Sequence, residues 1–171
     1  HFVVRMANSP TAGTELEAEI RALKCFSSLV RLNLPFQIGQ LVGDTKDSDG
    51  ERALVFDFVY GNSIELSRVD PVSGLTASIA FAIAAIHNLP HELVQKFGFP
   101  ELDPHQNLKY RIMELDRAAQ TGKVPPILLQ RWETALEDSS MFRYQPTVVH
   151  GAIDGHSVLE LDGKVSGVLH W

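Results

Sequence analysis

The closing stretch VVHGAIDGHSVLELDGKVSGVLHW, positions 148–171, gathers three of the seven histidines, His150, His156 and His170, around the carboxylate of Asp154. Imidazole nitrogens together with a carboxylate oxygen are a donor set that zinc and other transition ions take. The Asp154–Gly155 pair also has a plainer reading, because an aspartate before glycine in a short loop commonly bonds its own backbone to close a turn. Turn chemistry is the commoner of the two.

Any such chemistry depends on the elements that hold the loop. "TVVH" before it and "SVLEL" after it read as strands, and Asp162–Gly163 between "SVLEL" and "KVSGVLHW" is the strongest short hairpin signal in the chain. At the other end "HFVVRM" reads as a short strand, and Ser9 with Pro10 supplies a helix cap and first turn. Leu16, Ile20, Leu23 and Phe26 then recur at helical spacing, with Glu15, Glu17 and Glu19 on or near the helix faces. Two further strand-like runs follow, "FQIGQLVG" and "RALVFDFVYG", separated by a polar turn around Asp49 and Gly50. The middle of the chain is helical. "VSGLTASIAFAIAAIHNLP" is apolar nearly all round and predicts a buried helix starting near Ser73 and stopped by Pro90. Two amphipathic helices come next, the first closed by Gly122 and the second opened by Pro125 and Pro126.

Composition excludes several classes. The 171 residues are 44% apolar and 21% charged, with a net charge of −6 and no lysine or arginine run. That pattern offers no electrostatic footprint for nucleic acid or an anionic membrane. The apolar run around "IAFAIAAI" is far short of the ~20 residues a membrane span needs. A lone cysteine, Cys25, forms no internal disulfide, and the first residues lack signal-peptide order; a cytoplasmic home is expected. The chain opens on His1 rather than Met and ends on Trp171 after a strand-like run, so both ends read as cut from a longer chain.

This order of elements, with "HG" before a loop and then a hairpin ending in "VLHW", resembles the aminoglycoside and macrolide phosphotransferase family, the small-molecule branch of the protein-kinase-like fold. The resemblance covers nearly the whole chain, through His150, Gly151, the hairpin, Gly167 and Trp171 at the family's spacing. It implies an α+β, two-lobe fold, incomplete at both ends. Residues 1–62 would form a partial N-terminal β-rich lobe with one helix, and 63–171 a helical C-terminal lobe with the terminal hairpin. It implies roles as well. Arg5 stands where the family places a cation that holds nucleotide phosphates, and Glu19 where the helix supplies its ion-pair partner. Backbone groups at Asp57, Phe58 and Val59 would face the base of ATP or GTP. His87 matches a histidine at the end of a core helix, where it reads as a packed, hydrogen-bonded residue.

The acids depart from the pattern. Phosphoryl transfer is mostly positioning and charge neutralisation, for which one carboxylate orients the acceptor hydroxyl while an Asp and an Asn hold magnesium. Ala152 stands at the catalytic Asp, Ser157 at the metal-binding Asn, and His170 at the metal-binding Asp. Magnesium prefers oxygen ligands, so its site is compromised. Two functions follow. One is a pseudokinase-like protein that binds a nucleotide, a small molecule or a protein partner. The alternative is an active ATP- or GTP-dependent O-phosphotransferase of an aminoglycoside, macrolide or other hydroxylated metabolite, with Asp154 shifted into the vacant base position and His150 beside it.

Overall fold

The structure is a computed structural model that describes residues 1–7, 9–46 and 52–171. Strands β1 (Phe2–Met6), β2 (Leu41–Lys46) and β3 (Arg52–Asp57) form one antiparallel sheet in the order β1-β3-β2. Phe2 pairs with Asp57 and Met6 with Ala53. Helix α1 (Pro10–Cys25) begins where Ser9, in extended backbone, accepts a hydrogen bond from the Ala12 N–H at 3.2 Å. That side chain satisfies one of the amides left unpaired at a helix start. Its stripe of Leu16, Ile20 and Leu23, continued by Phe26, is buried in the same core cluster as Leu54 and Phe56 of β3.

Two expectations in this region need correction. Phe36–Gly43 is not one strand. Phe36 and Ile38 are buried, but the segment crosses to the far hairpin, where the Gln37 N–H donates to the Ser166 carbonyl (2.9 Å) and the Val168 N–H to the Gln37 carbonyl (3.0 Å). Strand β2 starts only at Leu41 and continues through Asp44, Thr45 and Lys46, residues expected in the turn. A charge fork explains its reach: the Arg52 guanidinium contacts both Asp44 oxygens (Nε to Oδ1 2.8 Å) and pairs with Glu17 of α1. The turn around Asp49 and Gly50 lies outside the described residues. A one-turn helix α2 (Ser28–Arg31) went unpredicted. It ends in Arg31, whose guanidinium donates to the carbonyls of Phe26, Ile38 and Gly39.

A second antiparallel sheet runs β4 (Asn62–Ser63), β5 (Val158–Leu161), β6 (Lys164–Val168). Asp162 (φ 53°) and Gly163 (φ 76°) both adopt left-handed backbone, which suits the twist of a tight hairpin. Helix α3 (Gly74–His87) is capped by Ser73, which accepts from the Thr76 N–H, and its Ser78 hydroxyl accepts from the Val165 N–H of β6 at 2.9 Å. It is not buried all round: Ala82 and Ile86 are, whereas Phe81 is 66% exposed. Apolar content gives a helix its composition but not the number of neighbours it meets. Nor is "TVVH" a strand; Thr147 is held by its hydroxyl on the His87 carbonyl, and the backbone to His150 pairs in no sheet. The His87 side chain is exposed rather than packed. A short helix α4 (His91–Lys96) follows Pro90.

These elements, residues 1–99 with 147–171, make one compact unit, and residues 100–146 make a second. The second unit pairs helix α5 (Pro104–Gln120), capped by Asp103, with helix α6 (Pro126–Glu137). Gly122 (φ 64°) turns the chain between them, and Asn107 donates to the Tyr144 hydroxyl at 2.7 Å. Neither helix contains a fully buried residue. Among the described residues no helix is long and apolar enough to cross a membrane.

Candidate functional site

A cavity of 380 Å³ opens in the first unit between the face of β1 and β3, helix α1 and the end of the terminal hairpin. Its charged wall is Arg5 and Glu19. Glu19 directly precedes Ile20 and stands four residues before Leu23, which sets it at the edge of the apolar stripe and leaves it 8% exposed. Such a carboxylate is costly to bury alone, since burial strips its hydration. Here the Arg5 guanidinium donates to Glu19 Oε2, and the same guanidinium lies 5.8 Å from the centre of the Phe56 ring. The three glutamates of α1 are thus separated by the fold, with Glu19 turned into the cavity, Glu17 on Arg52 and Glu15 exposed.

The end of β3 forms the next wall. Of the three amides proposed to face a base, that of Asp57 donates to Gln40 O (3.0 Å) and that of Phe58 to His1 O (3.2 Å). The Asp57 carboxylate accepts from the Gln40 N–H. Among the described residues the Val59 amide is the one of the three without a backbone partner, and the Val59 side chain lines the cavity. Beyond it Gly61 sits at φ 145°, where a Cβ would fall 2.3 Å from Ser166 Oγ; only glycine fits that backbone against the hairpin.

The 150–157 loop is built differently. The half-buried His150 ring has Nε2 2.8 Å from the Leu169 carbonyl, which makes Nε2 the protonated nitrogen, and its centroid lies 4.7 Å from that of Trp171. Burial foremost holds its pKa below the ordinary histidine value. The Asp154 carboxylate accepts from the backbone N–H groups of His156 (2.9 Å) and Ser157 (2.7 Å). Those bonds, led by the one to Ser157, favour its ionised form and lower its pKa. The Ser157 hydroxyl, 1% exposed, accepts from the Asp154 N–H (2.8 Å) and is 3.0 Å from the Asp154 carbonyl. Gly155 pins the turn from outside: its carbonyl accepts from Ile64 N–H at 2.9 Å, and a Cβ there would meet the Ile64 carbonyl oxygen at 2.1 Å. This is a closed turn whose polar atoms satisfy one another. Ala152 contributes no side-chain oxygen.

His170 lines the cavity with its side chain exposed and its backbone left-handed at φ 61°. Trp171 beside it donates from Nε1 to the Val168 carbonyl (3.0 Å) and packs on Phe26, the residue that closes α1, ring centres 4.3 Å apart. Among the described residues no three His, Cys, Asp or Glu side chains come together to hold a metal ion, so the His150, Asp154, His156, His170 cluster does not assemble. Ser157 is buried in the turn, and His170 brings a nitrogen where magnesium would ask for a carboxylate oxygen, so the two positions do not fit that ion. Sequence reasoning overlooked the pinning of the turn by the Ile64 backbone; the glycine at 155 was its available signal.

No protein-family model matches the sequence, and no curated protein is similar to it at a significant level. Solved structures are similar in fold. The macrolide 2'-phosphotransferase MphH from Brachybacterium faecium, an apoenzyme, superposes with a TM-score of 0.74 at 20% identity over 98% of this chain and 57% of its own. A macrolide 2'-phosphotransferase type I gives 0.73 at 23% identity, over 98% and 56%. The GDP complex of aminoglycoside 2'-phosphotransferase-IIIa gives 0.69 at 23%, over 98% and 59%. The chain spans under two thirds of the length of each of these structures. Its α+β architecture is the kinase-like fold of the macrolide and aminoglycoside phosphotransferases.

Proposed function

We propose that this chain is a degenerate member of the macrolide and aminoglycoside phosphotransferase family, a pseudokinase-like protein that binds ATP or GTP in the 380 Å³ cavity and is impaired in phosphoryl transfer. Residues 1–62 act as the β-rich lobe and 63–171 as the helical lobe. Similar structures described as GDP or streptomycin–ATP complexes support the nucleotide assignment, as does the Arg5–Glu19 pair aimed into the cavity. Arg5 would hold phosphate oxygens, Glu19 would aim it, and the Val59 amide would meet the edge of the base. The exposed His170 would sit near the phosphates without the charge that binds magnesium.

The observation that carries impairment is the closed turn. Asp154 is the carboxylate nearest in sequence to the vacant base position, and its Oδ1 already accepts two backbone N–H groups. Those bonds hold the carboxylate onto its own turn, and Gly155 of the same turn packs on the Ile64 backbone. With Ala152 in the base position, the chain keeps cradle and loses acid.

The test is nucleotide turnover in the presence of magnesium by the unmodified protein and by Asp154→Ala. A hydroxyl-bearing acceptor, kanamycin for example, is added because a similar structure is described as a GDP and kanamycin complex. The expected result is binding without turnover in both. Turnover that Asp154→Ala abolishes would establish the active transferase, with Asp154 as its base.

A further inference from the structure

Gly167 lies within β6, next to its last residue, and glycine in a strand weakens it and commonly marks the close approach of another chain segment. Its backbone does not require glycine, since it is absent from the positions with positive φ. Space alone requires it. A Cβ at 167 would fall 2.3 Å from Val59 Cγ1, a distance real Cβ atoms do not show. Val59 is 8% exposed, with the hairpin on one side and the cavity on the other.

The backbone on both sides of the contact is held in place. Strand β6 is held along one edge by Leu159, which pairs with Gly167, and along the other by Gln37, which bridges to it. The connector carrying Val59 is fixed just beyond by the Ser166 hydroxyl on the Tyr60 carbonyl at 2.7 Å. Carbon atoms rest at about 3.5–4.0 Å, so a methyl at 167 would displace the Val59 side chain by roughly 1.2–1.7 Å. With the hairpin behind it, that displacement runs into the cavity.

We infer that Gly167 and Val59 are a size-matched pair that sets the width of the cavity, with Gly167 as a positioning residue and Val59 as the residue that meets the flat apolar part of the ligand. The ligand class, a planar heteroaromatic base such as that of ATP, rests on the nucleotide reading above. The pair itself does not.

The experiment is a four-protein cycle: the unmodified chain, Gly167→Ala, Val59→Ala and the double variant, each followed by ATP calorimetry and by urea unfolding without ligand. Gly167→Ala is expected to weaken ATP at least tenfold in the folded protein. The double variant is expected to return within about threefold of the unmodified chain, because removing Cγ1 vacates the space the new methyl takes. Should Gly167→Ala fail to fold, a folded double variant with near-normal ATP affinity is the expected result, and a double variant that also fails overturns the inference. Equal ATP affinity in all four proteins overturns it too. If the unmodified chain binds no ATP, the nucleotide reading fails, and unfolding then decides the pair separately. A double variant more stable than Gly167→Ala supports it, and additive losses contradict it.

Discussion

The α1 wall of the cavity and the 150–157 loop are constructed on opposite principles. On the α1 side a carboxylate and a guanidinium meet across fourteen residues of sequence, one buried and one half-exposed, with their charges presented to open space. In the loop the Asp154 carboxylate, although exposed, is turned onto the backbone N–H groups of His156 and Ser157, and Ala152 carries no polar side chain. On the function proposed above, the difference would amount to selective loss, with the groups for holding an anion kept and those for metal-assisted transfer gone.

The strongest way to break the comparison is to force the closed turn open. Gly155→Val places its Cβ 2.1 Å from the Ile64 carbonyl oxygen, backbone that cannot swing aside as a side chain would. Overpacking of this kind costs ~1–3 kcal/mol or more, and urea unfolding should show a loss in that range. A neutral result would mean that the turn is free to move and Asp154 free to reach the base position.

Glu19→Gln sharpens the other side. It preserves volume and removes the charge that aims Arg5, so ATP affinity should fall about tenfold, equivalent to ~1.4 kcal/mol. Stability should fall by ~1 kcal/mol at most, because the Arg5 side chain is 35% exposed and solvent screens the pair. A stability loss without any loss of ATP affinity would assign the pair to architecture alone.

The loop has a pH signature of its own. His150 has a folded pKa below its unfolded value near 6.5, so the unfolded chain binds the proton first. Stability is therefore complete above that value and falls as pH drops through the window beneath it. The Asp154 contribution behaves likewise at lower pH, present above its unfolded value near 3.8 and lost as pH falls through the depressed folded one. Unfolding followed from pH 8 to 5 should decline in the unmodified chain and flatten in His150→Gln. The smallest effect is expected at His170. Its exposed side chain contributes little to the core, and His170→Ala should shift stability by less than ~0.5 kcal/mol.

Much of this architecture was legible because its causes are local. Ser9 and Pro10 announce α1, Ser73 announces α3, and Asp162–Gly163 announces the hairpin, each through a backbone requirement that one or two residue types meet. The Arg5–Glu19 contact was legible through family resemblance, although periodicity alone does not choose among three glutamates. What was hidden is long-range. "FQIG" alternates like a strand, yet its partner is the distant β6 rather than the adjacent sheet. "TVVH" has strand composition, but no neighbour offers it an edge. The apolar sequence of α3 concealed how much of Phe81 stays in solvent. The loop's state was half visible, since the missing acid at Ala152 is a fact of sequence, while the engagement of Asp154 required the positions of the backbone donors at His156 and Ser157.

The most direct test of selective loss is calorimetry of ATP binding to the unmodified chain, with magnesium in excess and again with a chelator. A cradle that holds phosphate through Arg5 alone predicts affinities within about threefold of each other. A tenfold or greater gain with magnesium, ~1.4 kcal/mol or more, would mean that the chain still anchors the metal and would contradict the account.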